Sequence, residues 1–239
     1  MGRLMKGSIV GGLFLWGLAS LSGDLIRAVS AQSTGSISGR VMISRDAPQL
    51  RKLEITKDKE KCGTERFADD LVVSADRGVK NAVVSLIGVK GSGVKTDKNV
   101  VLDQKGCAFT PRVVVAPAGA PVDILNNDGI LHNVHTYSTK NTPINKAQPG
   151  FKKKMTETFG QPEIIKLTCD AHPWMVGWIV VTDHPYAVPT DGAGSFKLTD
   201  VPPGIHKMEV WHETLGKLTK EVTVKTGEDA KVTFELVKN

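Results

Sequence analysis

Cys169, His172 and Met175 fall within one seven-residue stretch, Cys169-Asp170-Ala171-His172-Pro173-Trp174-Met175, directly after the apolar run Ile164–Cys169. A thiolate, an imidazole and a thioether on so short a loop can all turn towards one point. A soft thiolate and imidazole with a weak axial sulfur form the donor set that suits copper cycling between two oxidation states. A second imidazole has to come from elsewhere. His132 is the candidate, because it follows the turn Asn126-Asn127-Asp128-Gly129 and opens a strand-like segment about forty residues earlier. Taken singly, each residue has an ordinary explanation. A lone methionine is usually core filler, and a lone histidine usually lies at the surface or is hydrogen-bonded in the core. Cys-x2-His alone is a weak pattern; the conjunction with Met175 and the distant His132 is specific. Zinc gains little from a methionine, so it fits the set less well.

The cysteines bear on the same site. There are three, Cys62, Cys107 and Cys169, and in an oxidising compartment an odd number leaves one unpaired. Any two could bridge, or none. If Cys169 binds metal, Cys62 and Cys107 are left as the natural disulfide.

The elements that must position these residues read as strands. Strand-like segments recur from Ser36–Ile43 to Ala230–Val237, among them Ala120–Asn126, His132–Tyr137, Glu163–Cys169 and Trp178–Thr182. Turn formers such as Gly91-Ser92-Gly93, Pro117-Ala118-Gly119, Asp191-Gly192 and Pro202-Pro203-Gly204 separate them. Short strands at this spacing predict an all-β chain of β-sandwich architecture. From Leu50 to Asp70 the chain is charged and carries Cys62, which reads as a partly helical surface excursion tied down by the expected disulfide. Ser138 to Lys153 shows no strand character, and Lys152-Lys153-Lys154 reads as a solvated strand edge.

The stretch from Lys105 to Asp183 resembles the cupredoxins, the small blue copper proteins, most closely amicyanin and plastocyanin. The matching residues are Phe109-Thr110-Pro111, Pro117-Ala118-Gly119-Ala120-Pro121-Val122, Asn126-Asn127, Leu131-His132-Asn133-Val134-His135 and the loop from Cys169 to Met175 with Val176-Gly177. The resemblance implies a Greek-key sandwich holding one type 1 copper ion. His132, Cys169 and His172 would be its equatorial ligands and Met175 the axial one. It implies that Asn133 braces the two ligand loops, and that His135 points away from the site. It further implies that His172 is a partly exposed ligand through which electrons leave, with Pro173 and Trp174 as its apolar surround. Trp178 reads as sandwich core.

Downstream, Thr190-Asp191-Gly192-Ala193-Gly194-Ser195-Phe196 through Val210 resembles the second half of a carboxypeptidase regulatory-like (transthyretin-like) β-sandwich. Ile37-Ser38-Gly39-Arg40-Val41 and Val79–Leu86 resemble its first half. The expected domains are therefore a copper-binding unit over residues 32–183, with its copper segment at 105–183, and a second sandwich over 184–239 sharing strands from 36–88. The copper segment is either inserted into that scaffold, or the early strands complete the copper domain; both arrangements stay open. His184, His206 and His212 read as structural or surface positions.

Residues 1–31 read as an export signal. Arg3 and Lys6 precede an apolar stretch from Ile9 to Leu21, and Val29-Ser30-Ala31 offers small residues for cleavage. The competing reading is a retained anchor, but the stretch is short and glycine-rich against the about 20 apolar residues of a span. A periplasmic or otherwise extracytoplasmic protein follows, without stable membrane insertion after cleavage. Loss of the signal removes three cations and one anion, so the net charge falls from +6 to +4. That excess is too weak and too evenly spread for nucleic acid. No Ser-His-Asp order, phosphate loop or paired-carboxylate motif stands out, and further copper-centre elements are lacking, so no enzyme is expected. The leading expectation is single-electron transfer with a redox partner protein of cytochrome or dehydrogenase type. The alternatives are a copper carrier or store, and a structural interaction module.

Overall fold

The alternation of apolar and polar residues is realised as strands whose inward side chains meet in two separate cores. The computed structural model describes residues 33–45, 47, 49–89 and 98–237. The expected signal at 1–31 and the turn at Gly91-Ser92-Gly93 lie outside them. The described chain is nearly all β, with one helical turn at Lys59–Cys62. Among the described residues no helix is long and apolar enough to cross a membrane.

The first core lies under a five-stranded sheet and a four-stranded one. The five run in the order Asn145–Gln148, His132–Tyr137, Glu163–Thr168, Val176–Thr182, Val113–Pro117. The four are Lys154–Thr158, Pro121–Asn126, Val100–Gln104 and Phe109–Thr110. Leu102, Val122 and Ile124 from the smaller sheet join Val134, Ile165, Leu167 and Ile179 from the larger in one buried cluster. Successive strand residues face opposite sides, so Val122, Ile124 and Asn126 all point inward, and Asp123 is left on the outer face holding Lys154 and Thr156. Lys152, Lys153 and Lys154 are exposed, and Lys154 opens an edge strand. One expectation is corrected: the stretch from Ser138 to Lys153 contains a strand, Asn145–Gln148. Being an edge strand with only Gln148 buried, it has no apolar alternation to announce it.

The second core lies between the sheet Ser195–Val201, Gly35–Ile43, Asp229–Leu236 and the sheet Ala187–Pro189, Val83–Ile87, Gly204–His212, Gly216–Val224. Gly35–Ile43 pairs antiparallel with Ser195–Val201 and parallel with Asp229–Leu236. Gly39 permits this parallel pairing, since a Cβ there would stand 1.6 Å from the Val232 carbonyl oxygen. Strands from before residue 90 and after residue 186 thus share sheets.

A small apolar cluster joins the two sandwiches. Val83, Val113 and Val180 are buried there against Trp178 and Trp211, whose rings meet edge to face at 5.0 Å. Beside it, the buried Arg112 places Nε 2.5 Å and Nη2 2.8 Å from the two carboxylate oxygens of half-buried Glu213, and Nη1 also meets Asp69. One guanidinium thus ties together the first sandwich, the second sandwich and the charged excursion. Removing one partner of a buried pair leaves the other charge stranded. Arg112→Met is therefore expected to cost about 3–5 kcal/mol by urea unfolding. Replacing Glu213 by an apolar residue in the same chain should recover much of that loss.

Candidate metal centre

The Cys169–Met175 loop is the connection of a β-hairpin. Glu163–Thr168 and Val176–Thr182 pair antiparallel, with Thr168 opposite Val176. The loop closes on itself: the N–H groups of His172 and Met175 donate to the carbonyls of Cys169 and His172, and the N–H of Cys169 donates to the carbonyl of Met175. His132 arrives from the neighbouring strand, which pairs antiparallel with Glu163–Thr168. Asn126 sets the turn before it. Its Nδ2 donates to the carbonyls of Ile130 and Gln148, and its Oδ1 accepts from the N–H groups of Asp128 and Gly129.

These elements bring three of the four expected ligand side chains to one point. His132 Nδ1 lies 3.0 Å from His172 Nδ1, and the two stand 3.9 and 3.7 Å from Cys169 Sγ. All three residues are buried, and their donor atoms lie within 4.8 Å of one another. Met175 is buried in the same core cluster as Cys169. Cys169 is the free cysteine among the described residues, while Cys62 and Cys107 are joined as a disulfide.

Asn133 links the two segments that carry these side chains. Its backbone N–H donates to Cys169 Sγ at 3.4 Å, its Oδ1 accepts from the Asp170 N–H, and its Nδ2 donates to Asp170 Oδ2 and Asn145 Oδ1. His135 lies outside the cluster, with Nδ1 3.0 Å from Asp170 Oδ1 and its ring stacked on Tyr137. The odd spacing from His132 puts it on the other face of the strand. His184, His206 and His212 belong to neither group of residues close enough to hold a metal ion.

Two carboxylates stand behind the imidazoles. Asp128 Oδ2 lies 2.9 Å from His132 Nε2, and Asp58 Oδ2 lies 2.8 Å from His172 Nε2. Both rings therefore turn Nε2 towards a carboxylate and Nδ1 towards Cys169. Sequence reasoning missed both acids. Asp128 sits in a turn where aspartate is commonplace, and Asp58 lies in a charged stretch with no periodicity. Only the four-residue spacing from Asp128 to His132 was available as a signal.

The electrostatics bear on metal capture in both directions. Burial opposes ionisation of Asp128, but N–H groups of Cys107 and Gly106 together with His132 hold it below the usual carboxylate value. Burial pushes His132 below the usual imidazole value against the pull of Asp128, which favours the neutral ring. Burial also pushes the Cys169 thiol up, against the N–H groups of Asn133, His172 and Ala171. Any metal here has to displace that proton. Two imidazole nitrogens and one sulfur are donors for copper or zinc and poor ones for magnesium or calcium.

One expectation fails outright. His172 is not partly exposed; it has no solvent-accessible surface. The charged excursion folds over it and Asp58 occupies its outer nitrogen, a contact between residues 114 positions apart. Pro173 is exposed and Trp174 half-buried, with the Trp174 ring 5.2 Å from that of His172.

No protein-family model matches this chain, and no curated protein matches it. Several solved structures are similar at low level. A Cu-containing nitrite reductase from Thermus scotoductus SA-01 is 22% identical over 41% of this chain and 25% of its own, with a TM-score of 0.34. The chain thus spans about a quarter of that protein. A purple cupredoxin from Nitrosopumilus maritimus is 20% identical over 35% of this chain and 100% of its own, TM-score 0.30. An amicyanin from Paracoccus versutus is 20% identical over 41% and 97%, TM-score 0.31. The expectation that this chain is no enzyme does not stand, because the nitrite reductase among these structures is one.

Proposed function

We propose that this chain holds one type 1 copper ion between His132, Cys169 and His172, with Met175 as the axial ligand, and passes single electrons between redox partner proteins outside the cytoplasm. The convergence of two imidazole nitrogens and one buried sulfur carries the reading. Copper bound there would supply a one-electron couple. The chain's own part is to keep the donors still. Asn133 and Asp170 lock the two ligand segments together, while Asp128 and Asp58 hold the rings from behind. A site held this rigidly rearranges little when its charge changes.

Pro173 and Trp174 are the proposed surface through which a cytochrome- or dehydrogenase-type partner makes a brief contact. Export by residues 1–31 belongs to the same proposal. So does the organisation, with the copper segment at 105–183 inserted into a transthyretin-like scaffold built from 36–88 and 184–239. Stoichiometric Cu(II) should give an intense visible absorption from thiolate-to-copper charge transfer. A colourless Cu(II) complex would refute the reading.

A carrier or storage role for copper is the second reading. The full burial of both imidazoles favours it, since neither ring edge reaches the surface to pass electrons to a partner. Rapid reduction and reoxidation by a cytochrome would decide for electron transfer. Transfer of Cu(I) to an acceptor without such cycling would decide for the carrier.

A further inference from the structure

The cover over His172 is built, not incidental. Asp58 has a left-handed backbone, φ 49° and ψ 39°, just before the helical turn Lys59–Cys62. An aspartate before a helix ordinarily caps it with its side chain, yet this carboxylate makes no cap. It reaches instead to His172 Nε2, and the Asp58 carbonyl accepts from the N–H groups of Lys61 and Cys62.

The helical turn ends at Cys62, whose disulfide partner is Cys107. Arg66 Nη1 donates to the carbonyls of Gly106 and Cys107, and Ile55 is buried in the core that contains Cys169 and Met175. The Cys107 N–H in turn donates to Asp128, the acid behind His132. A single disulfide therefore ties the segment carrying one acid to the loop that holds the other.

We propose that Asp58 is a positioning residue for His172. It selects the ring form with a proton on Nε2 and a lone pair on Nδ1 facing Cys169, and its negative charge favours the more positively charged copper state. The second part rests on the copper reading; the first does not. A carboxylate behind a ligand histidine fixes its tautomer and raises its basicity, and loss of such a partner typically costs about 10–100-fold in affinity.

Asp58→Ala removes the contact, while Asp58→Asn keeps an acceptor of the same shape without the charge. Glu60→Gln, on the same helical turn, controls for loss of a nearby charge. In the copper-free protein, nitrogen-15 NMR of the His172 ring should show one tautomer in the wild type and in Glu60→Gln, and a tautomer mixture in Asp58→Ala. In the copper-loaded protein, a tenfold loss of Cu(II) over Cu(I) preference in either Asp58 variant would raise the midpoint potential by about 59 mV. Unchanged ring signals in Asp58→Ala together with an unchanged potential would overturn the proposal. So would an equal rise in potential in Glu60→Gln. Altered ring signals in a protein that takes up no copper would support the positioning role and refute the copper reading. If Asp58→Ala does not fold, the potential of Asp58→Asn decides.

Discussion

Cys169→Ala is expected to abolish the visible absorption of the Cu(II)-loaded protein and to lower copper affinity by orders of magnitude, with the sandwich still folded. The thiolate is the one anionic donor in the cluster and the soft ligand that separates a copper site from an ordinary imidazole pair. Its loss leaves His132 and His172 with a small void beside them, a modest packing defect compared with the chemical one. The measurement is a Cu(II) titration followed by absorbance and by competition with a chelator. In the wild type, uptake should strengthen with pH. The buried thiol sits above its ordinary value, so binding below that value displaces one proton and the affinity rises about tenfold per pH unit. The alanine variant should lose that slope. A variant that kept the colour would place the chromophore elsewhere.

Breaking the Cys62–Cys107 disulfide is the second large effect. The bridge spans 45 residues, and in the chain-entropy model a loop of that length is worth about 4 kcal/mol. The Cys62→Ala, Cys107→Ala chain should lose that much in urea unfolding of the copper-free protein, with Cys169 left intact. A second consequence is local. The segment that carries Asp58 loses its covalent tie to the loop that holds Asp128, so His172 should become open to imidazole-modifying reagents that it resists in the wild type. Equal stability of the two proteins would show that contacts of the excursion, such as those of Ile55 and Arg66, hold it without the bridge.

Much of the candidate metal centre could be read from residue types and spacing. Donor chemistry is local: a thiol, an imidazole and a thioether on a seven-residue loop narrow the choice of metal before any fold is known. The hairpin that closes this loop was legible too, because Glu163–Thr168 and Val176–Thr182 carry strand-like apolar runs on either side of it. So was the opposite facing of His132 and His135, which follows from strand alternation alone. The edge strand Asn145–Gln148 was not, since an edge needs no apolar face.

The acids behind the rings and the cover over His172 belong to tertiary structure alone. Asp58 and His172 are 114 residues apart, and the segment between them supplies strands to both sandwiches. No periodicity in the charged run from Leu50 to Asp70 says which of its carboxylates turns inward. The same holds for Arg112, whose burial depends on Glu213 and Asp69 meeting it from two other parts of the chain. The sequence by itself determined the donor atoms, because coordination chemistry resides in side-chain type. Only the packed chain decided which nitrogen of each ring is free, and whether water reaches it, because both depend on groups brought together across long separations.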